Sequence, residues 1–418
     1  MRVPLYKLFQ FFVFLSVVLM VGYLKLLPVD IGFYYTALFV VLLTLLMFIC
    51  VIMYQKQWIV EHGDFAKKYL VVYFVVIMLA AFFTKRNLNY STYDLIKVII
   101  PYLYIFLSIT LIYIFSKEGI EKTCKVVSSI VNGMLIIKTI CWALYNFLEI
   151  TIFPNILFQY EGWIRDGFQR IDTGFLFFAA LVWNSYQGFK CYKKKSLVYL
   201  VFYLFFTMFV ARYRFLLMVT MITIFVVFYY SFNRENKKAF IRVTIFFAVL
   251  FCVLFGLHEK ILEIFSSTGT YGSSTINRLS TLTHYFKLLL NQKAWFGLGL
   301  LDTTVRSARE YMLLGVGNTG TSYFYYIDDI GIFGGVVRFG LLSLALYIPL
   351  IGKAIKVFFM CRKRKHEYLP IYAGVCTYMV ISCVILNFFD SQRAFDTPFY
   401  LAFISYIGGM VQIESKSH

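Results

Sequence analysis

The stretch FYYIDDIGIFGGVVRFG (324–340) sets two adjacent aspartates at the mouth of an apolar run and an arginine inside it. Carboxylates beside a guanidinium can exchange protons, pair as ions or bind a charged ligand. The same residues can also do simpler work: Asp328 and Asp329 suit the positive end of a helix dipole, where acidic side chains cap. With a helix from about Ile330, Gly331 and Gly335 form the small-residue face on which spans pack closely. At about 100° per residue, Arg338 then lies within about 20° of Gly331 and points into the bundle, not at lipid. An arginine at mid-span costs about 2.5–3.5 kcal/mol on insertion scales, so it is either a functional group or half of a buried ion pair.

Two further arginine constellations read the same way. VARYRFLLM (210–218) puts Arg212 and Arg214 at the tip between two apolar runs, at the depth of lipid phosphates. WIRDGFQRIDTG (163–174) offers Arg165 and Arg170, with Asp166 and Asp172 as candidate partners. Lys138 lies deep in an apolar stretch, either snorkelled or paired with a carboxylate. His284 is a candidate general base or a plain structural histidine; with His258 it makes no metal signature. No Ser-His-Asp order, HExxH, Walker loop or kinase motif occurs.

The elements that must position these residues follow from composition. The chain has 418 residues, 61% hydrophobic, 20% aromatic and only 15% charged. Soluble domains run nearer half apolar and a quarter charged. Apolar runs of about 18 residues recur, which predicts an all-α polytopic membrane protein, not a β-barrel. Spans are expected near 8–24, 31–54, 69–83, 98–115, 126–148, 172–189, 197–211, 215–232, 243–257, 330–351, 369–388 and 398–412, about twelve in all. Residues 1–257 would hold spans 1–9 with short loops. Residues 258–329 would form a large extracytoplasmic loop between spans 9 and 10, and residues 330–418 would carry spans 10–12. The basic N-terminus lacks a small-x-small cleavage site and reads as an uncleaved first span. The eight cysteines suggest neither disulfides nor a CxxC site.

The net charge of +19 fits lysine-rich cytoplasmic loops better than nucleic acid. KCYKKK (190–195), NRENKKAFIR (233–242), CRKRKH (361–366), Lys117, Lys122 and Lys125 mark the inner side, and an even span count puts both termini there. Five arginines and eighteen lysines fall inside; nine arginines and six lysines fall outside. Arginine is the residue for bidentate phosphate or carboxylate recognition, so an anionic ligand on the outer face is one reading, headgroups or ion pairs the other. In the outer loop a helix over 275–290 would carry Ile276, Leu279, Leu282, Phe286 and Leu289 on one stripe, with Arg278, His284 and Lys287 off it. WFGLGLL (295–301) and GVGNTG (315–320) read as tight turns.

The arrangement resembles the Wzy-type polysaccharide polymerases, relatives of the O-antigen ligases. The resemblance rests on the spans with a late outer loop, on RIDTGF (170–175) and ARYRF (211–215), on NRLSTLTHYFKLLLNQKAWFGLGL (277–300), and on DIGIFGGVVRFGLLSLALYI (329–348). It implies an outer-face glycosyltransferase of the bacterial cytoplasmic membrane that needs no nucleotide sugar, obligatory metal or other cofactor. Its substrates would be undecaprenyl-diphosphate-linked glycans. The growing chain moves onto a new repeat unit, and the lipid diphosphate leaves. Arg170, Arg212, Arg214, Arg278 and Arg338 are the diphosphate candidates. Asp329 is the preferred base, with Asp328 and His284 behind it. Trp163, Trp295, Tyr323 and Tyr325 are candidates to stack on sugars. Partners implied are membrane lipids, a chain-length regulator and a flippase. The ligases carry His-Asn before the acidic-x-Gly element; GVGNTGTSYFYYIDD has no histidine there, which favours polymerase over a ligase-like transferase. A lipid-linked oligosaccharide flippase is the other alternative, although it would carry charges in several spans and need no large outer loop.

Overall fold

The computed structural model describes residues 4–28, 32–54, 62–158, 164–165, 167–232, 272–316, 322–385, 387–390 and 393–416. The expected span at 243–257, His258, Trp163 and Asp166 lie outside these residues.

The described chain is helical apart from two small antiparallel hairpins. The helices in order are α1 (Leu5–Val21), α2 (Phe33–Tyr54), α3 (Asp64–Leu88), α4 (Thr92–Ile99), α5 (Leu107–Glu118), α6 (Ile120–Leu148), α7 (Pro154–Leu157), α8 (Phe177–Phe189) and α9 (Lys194–Phe205). There follow α10 (Arg214–Ser231), α11 (Gly272–Asn291), α12 (Arg306–Met312), α13 (Ile332–Phe339), α14 (Leu342–Arg364), α15 (Leu369–Ser382) and α16 (Thr397–Lys416). A 3-10 stretch, Ile100–Phe106, joins α4 to α5 and contains Pro101, which has no N–H for the ordinary helical bond. Strands β1 (Ile164–Arg165) and β2 (Phe168–Gln169) pair as one hairpin, β3 (Leu313–Val316) and β4 (Ser322–Phe324) as the other.

The chain is a multi-pass membrane protein. Six helical segments among the described residues are long and apolar enough to cross a bilayer: Phe33–Tyr54, Asp64–Leu88, Thr92–Glu118, Ile120–Leu148, Arg214–Ser231 and Leu342–Arg364. Their outer faces match lipid. Along α2, Phe39, Leu42, Leu46, Ile49 and Met53 are exposed, while Val40, Val41, Thr44, Met47 and Val51 are buried. Every step of that exposed stripe is three or four residues, one helix face.

Among the described residues, the expectation of about twelve spans is therefore corrected to six. An apolar run bounds a helix but does not make it continuous. Leu5–Val21 and Leu369–Ser382 are apolar but have only 17 and 14 residues. The expected span 172–189 is helical only over α8, because side chains take the backbone N–H groups ahead of it. Asp172 Oδ2 accepts from Gly174 N at 3.0 Å and Asp396 Oδ1 from Leu176 N at 2.6 Å. The span 197–211 ends in a π-helical turn, Phe206–Val210. The span 330–351 breaks at Gly340, whose φ of 56° and ψ of −135° separate α13 from α14. A Cβ there would stand 2.1 Å from the Trp295 carbonyl oxygen. The span 369–388 stops at Ser382, and 383–385, 387–390 and 393–396 are turn and loop.

The elements have two ends. At one, Tyr186 of α8 donates to Glu121 of α6 (3.4 Å), Tyr230 of α10 packs on Phe358 of α14, and His366 meets Glu414 of α16 (3.5 Å). Lys190, Lys193, Arg362, Lys363 and Arg364 follow the helix ends there. Phe9 packs on Tyr113, over which Lys117 sits, so the start of α1 is at this lysine end too. The other end gathers 84–97, 164–165, 167–176, 211–214, 292–316, 322–330, 387–390 and 393–397, and it holds the arginines described next.

Candidate functional site at the arginine end

Arg338 is carried by α13, an eight-residue helix wedged by glycines. Gly331 caps it at φ 55°, and a Cβ there would sit 2.2 Å from the Val384 carbonyl oxygen; one on Gly335 would sit 2.1 Å from the Tyr347 hydroxyl. Gly297 approaches from the other side, where a Cβ would lie 2.2 Å from the Arg338 carbonyl oxygen. Leu298 N donates to Val337 O at 2.8 Å. Held this way, Arg338 turns inward and is buried; that is the expected direction, although Gly331 caps the helix instead of sharing its face. Its two terminal nitrogens donate to Asp328 and to Asp390. Asp390 is buried; Asp328 reaches the surface in part.

Two carboxylates on one guanidinium cannot both be charged cheaply in a buried site. Burial pushes Asp390 well above the usual carboxylate range, and the Asp328 charge pushes the same way. Burial also opposes charge on Asp328, but Arg338 overrides it and holds Asp328 below its ordinary value. The two shifts run in opposite directions: Asp328 is the carboxyl that favours charge and Asp390 the one that favours a proton. Asp328 is consequently an ion-pair partner first.

A second buried cluster lies beside it. Arg393 is buried and approaches Asp172 at 3.7 Å; its Nη1 donates to Gly174 O at 3.2 Å. Lys138 of α6 is also buried, and its Nζ donates to the Asp172 carbonyl at 2.8 Å. The lysine left open between snorkelling and pairing is therefore tied to the 170–176 loop. Burial works against charge on Asp172, yet Arg393 and then Lys138 bring it below its ordinary value. Burial pushes Asp396 up to about 7.

A third group of side chains, the mouth, centres on Asp329. Asp329 is exposed, one residue from Asp328. The protein around it raises its pKa, and Asp328 adds to the rise, while Arg278 and Arg170 oppose it. Tyr213, the residue before α10, is pushed up to about 12 by burial and then by Asp329; Arg278 and Arg393 pull against this, and Asp172 adds to it. One phenol thus lies within electrostatic reach of Asp329, of Arg278 and of the Asp172–Arg393 cluster.

The arginines of the hairpins are cross-ties as well as charges. Arg165 Nη1 donates to Arg212 O at 2.8 Å, and Arg212 Nη1 returns a bond to Arg165 O at 2.7 Å. Arg212 has φ 49° and lies over the Phe168 ring at 4.2 Å. Arg170 is buried and donates from Nε to Ala211 O at 2.9 Å; burial, then Arg165, lowers its pKa to about 10, so it stays charged at neutral pH. Arg214 opens α10 and is half-buried. The π turn just before Arg212 is the type of backbone irregularity that recurs at functional sites.

The helix expected over 275–290 is present as α11, Gly272–Asn291. The buried face of α11 is not the apolar stripe. Ile276 and Leu279 are exposed, whereas Thr281 and Tyr285 are buried. Arg278, three residues before Thr281 and seven before Tyr285, shares that inward face. In a membrane protein the apolar side of a helix can face lipid and the polar side the protein, which reverses the assignment a soluble helix would get. His284 Nε2 is 2.8 Å from Tyr311 O, and its ring stacks on Tyr325 at 4.1 Å and 14°. A carbonyl only accepts, so Nε2 carries the proton and the basic lone pair is on Nδ1. Trp295 is exposed; the side chain of Tyr323 lies outside the described residues.

Sequence reasoning did not place Asp390, Asp172, Lys138 or Arg393 in the site. Asp172 is a candidate ion-pair partner by sequence, but nothing in the spacing shows which arginine it or Asp390 meets, across 221 and 52 positions. No protein-family model matches the chain, and no curated protein matches it.

Proposed function

We propose that this protein polymerises lipid-diphosphate-linked oligosaccharide units on the outer face of the bacterial cytoplasmic membrane. The observation that carries the reading is the mouth itself: an exposed carboxylate of raised pKa, Asp329, set among Arg278, Arg170 and Tyr213. A base with a pKa nearer neutrality takes a proton more readily from an alcohol. The cations are of the type that stabilises charge growing on a departing diphosphate.

In the reaction, Asp329 accepts the proton of an acceptor-sugar hydroxyl. That oxygen bonds to the anomeric carbon of the growing glycan, and the bond from that carbon to the diphosphate oxygen breaks with its electron pair. Arg278 and Arg170 hold the leaving diphosphate. Arg338 positions Asp328, and through it the adjacent Asp329. The lysine end faces the cytoplasm by the positive-inside rule, and with it the start of α1 and the end of α16, so both termini are cytoplasmic.

The test is lengthening of a purified lipid-linked oligosaccharide by the detergent-solubilised protein without nucleotide sugar. Asp329→Asn is expected to slow lengthening by about 10²–10⁴-fold at unchanged thermal stability, and Arg278→Ala to weaken substrate use. Normal lengthening by both variants would sink the site. Wild-type protein that only carries the lipid across a vesicle bilayer would make it a flippase, and transfer to an unrelated acceptor glycan would make it ligase-like.

A further inference from the structure

A groove of about 680 Å³ runs between the C-terminal half of α11, the turn after it and the start of α14. Phe286, Leu289, Trp295, Leu341 and Leu344 line it, and Lys293 stands at its head. Lys293 has a left-handed backbone, φ 50°, and follows α11 by two residues. Trp295, Leu341 and Leu344 are more than half exposed, at 63%, 57% and 52%, and Ile348 continues the exposed line one turn further along the membrane-spanning α14 at 63%. The groove therefore opens sideways along a span, with an ammonium group and an indole at its outer end, the residues that sit at a membrane interface.

It is separate from the mouth described above. On α13, Val336 and Gly340 line the groove, and Phe333 packs on Phe286. Arg338 is two positions from each lining residue, about 200° round the helix, and its side chain points to Asp328 and Asp390 instead. Along α11, Arg278 and Lys293 are fifteen residues apart, about 22 Å at helical rise. A diphosphate at Arg278 would not put its phosphates on Lys293.

One ammonium above an apolar slot matches one phosphodiester above acyl chains. We propose that this groove binds a single anionic phospholipid of the surrounding bilayer, its phosphate on Lys293 and an acyl chain along Leu289, Leu341 and Leu344. The site goes beyond the polymerase reading and does not depend on it. The lipid would also cover the turn that holds α13, since Leu341 N donates to Trp295 O at 2.8 Å and Gly297 backs onto Arg338.

Native mass spectrometry of the full-length protein in detergent, with added phosphatidylglycerol, tests this. The expected result is one retained lipid on the wild type and at least tenfold weaker retention in Lys293→Glu. Leu344→Trp, which fills the slot without touching the charge, should also lose the lipid. Lys287→Glu, on an exposed lysine of α11 outside the groove, should bind as wild type; it controls for general surface charge, and thermal unfolding of each variant controls for fold. Equal retention by Lys293→Glu and the wild type overturns the proposal. So does equal loss in Lys287→Glu, or preference for a polyprenyl phosphate over phosphatidylglycerol, which would make the groove a place for the substrate's own chain.

Discussion

The two buried clusters at the arginine end use the same residue types to opposite effect. Around Arg338 one cation faces two carboxylates, Asp328 and Asp390. Around Asp172 one carboxylate faces two cations, Arg393 and Lys138. The first is short of positive charge, and its buried Asp390 is pushed toward holding a proton. The second has positive charge to spare, and its surplus adds to that of Arg170 and Arg278 near the mouth. Burial is similar in both, so the count of partners, not depth, decides whether a cluster holds a proton or attracts an anion.

Removing the central cation of the first cluster should do the most damage. Arg338→Ala leaves Asp328 facing Asp390 with no counter-charge and is expected to cost about 3–5 kcal/mol, read as a lower unfolding temperature in detergent. Next comes the split between its carboxylates. Asp328→Asn removes the partner held toward charge and should cost several-fold more than Asp390→Asn, which replaces a group pushed toward neutrality by one of the same shape. Equal losses from the two would show that Asp390 is ionised. Arg393→Ala should cost less, about 1–3 kcal/mol, because Lys138 still balances Asp172; a loss as large as that of Arg338→Ala would mean that the second cluster is not over-supplied with cations.

The last effect is one of slope, small at any one pH step. Asp396 has a folded pKa of about 7 against an ordinary 3.8. Between those values the unfolded chain has released the proton and the folded chain still holds it, so stability from this group falls as pH rises from about 4 to 7 and is level beyond. Asp396→Asn should remove about 1 kcal/mol per pH unit of that fall while its side-chain oxygen can still accept from Leu176 N. Asp172 has the opposite sign: its folded value is depressed, so its contribution is present above about 4 and is lost on acidification. Stability scans from pH 3 to 8 on Asp396→Asn and the wild type would separate the two, and an unchanged slope over pH 4–7 would count against a protonated Asp396.

The inward turn of Arg338 was legible in part: Gly335, three residues earlier, shares its helix face, whereas Gly331, seven earlier, lies outside α13 as its cap. The helix over 275–290 was legible from its 3.6-residue period. Its buried face was not, since periodicity marks an apolar side without saying whether protein or lipid covers it. The span count failed where a side chain from far along the chain captures backbone N–H groups, as Asp396 does at Leu176, or where a glycine is forced out of helix by a distant carbonyl, as at Gly340 beside Trp295.

By itself the sequence determined that this is a helical membrane protein, that lysines and arginines divide between its two sides, and that Asp328, Asp329 and Arg338 sit together near one membrane face. Composition and short-range spacing are enough for that, because the bilayer selects on apolar length and the helix on period. Only the tertiary structure decided that Asp390 shares Arg338, that Lys138 and Arg393 share the Asp172 loop, and that Asp329 is the carboxylate left at the mouth. Those pairings join residues tens to hundreds of positions apart, and the strength of a charge interaction follows distance and burial in space, which the order of residues along a chain does not contain.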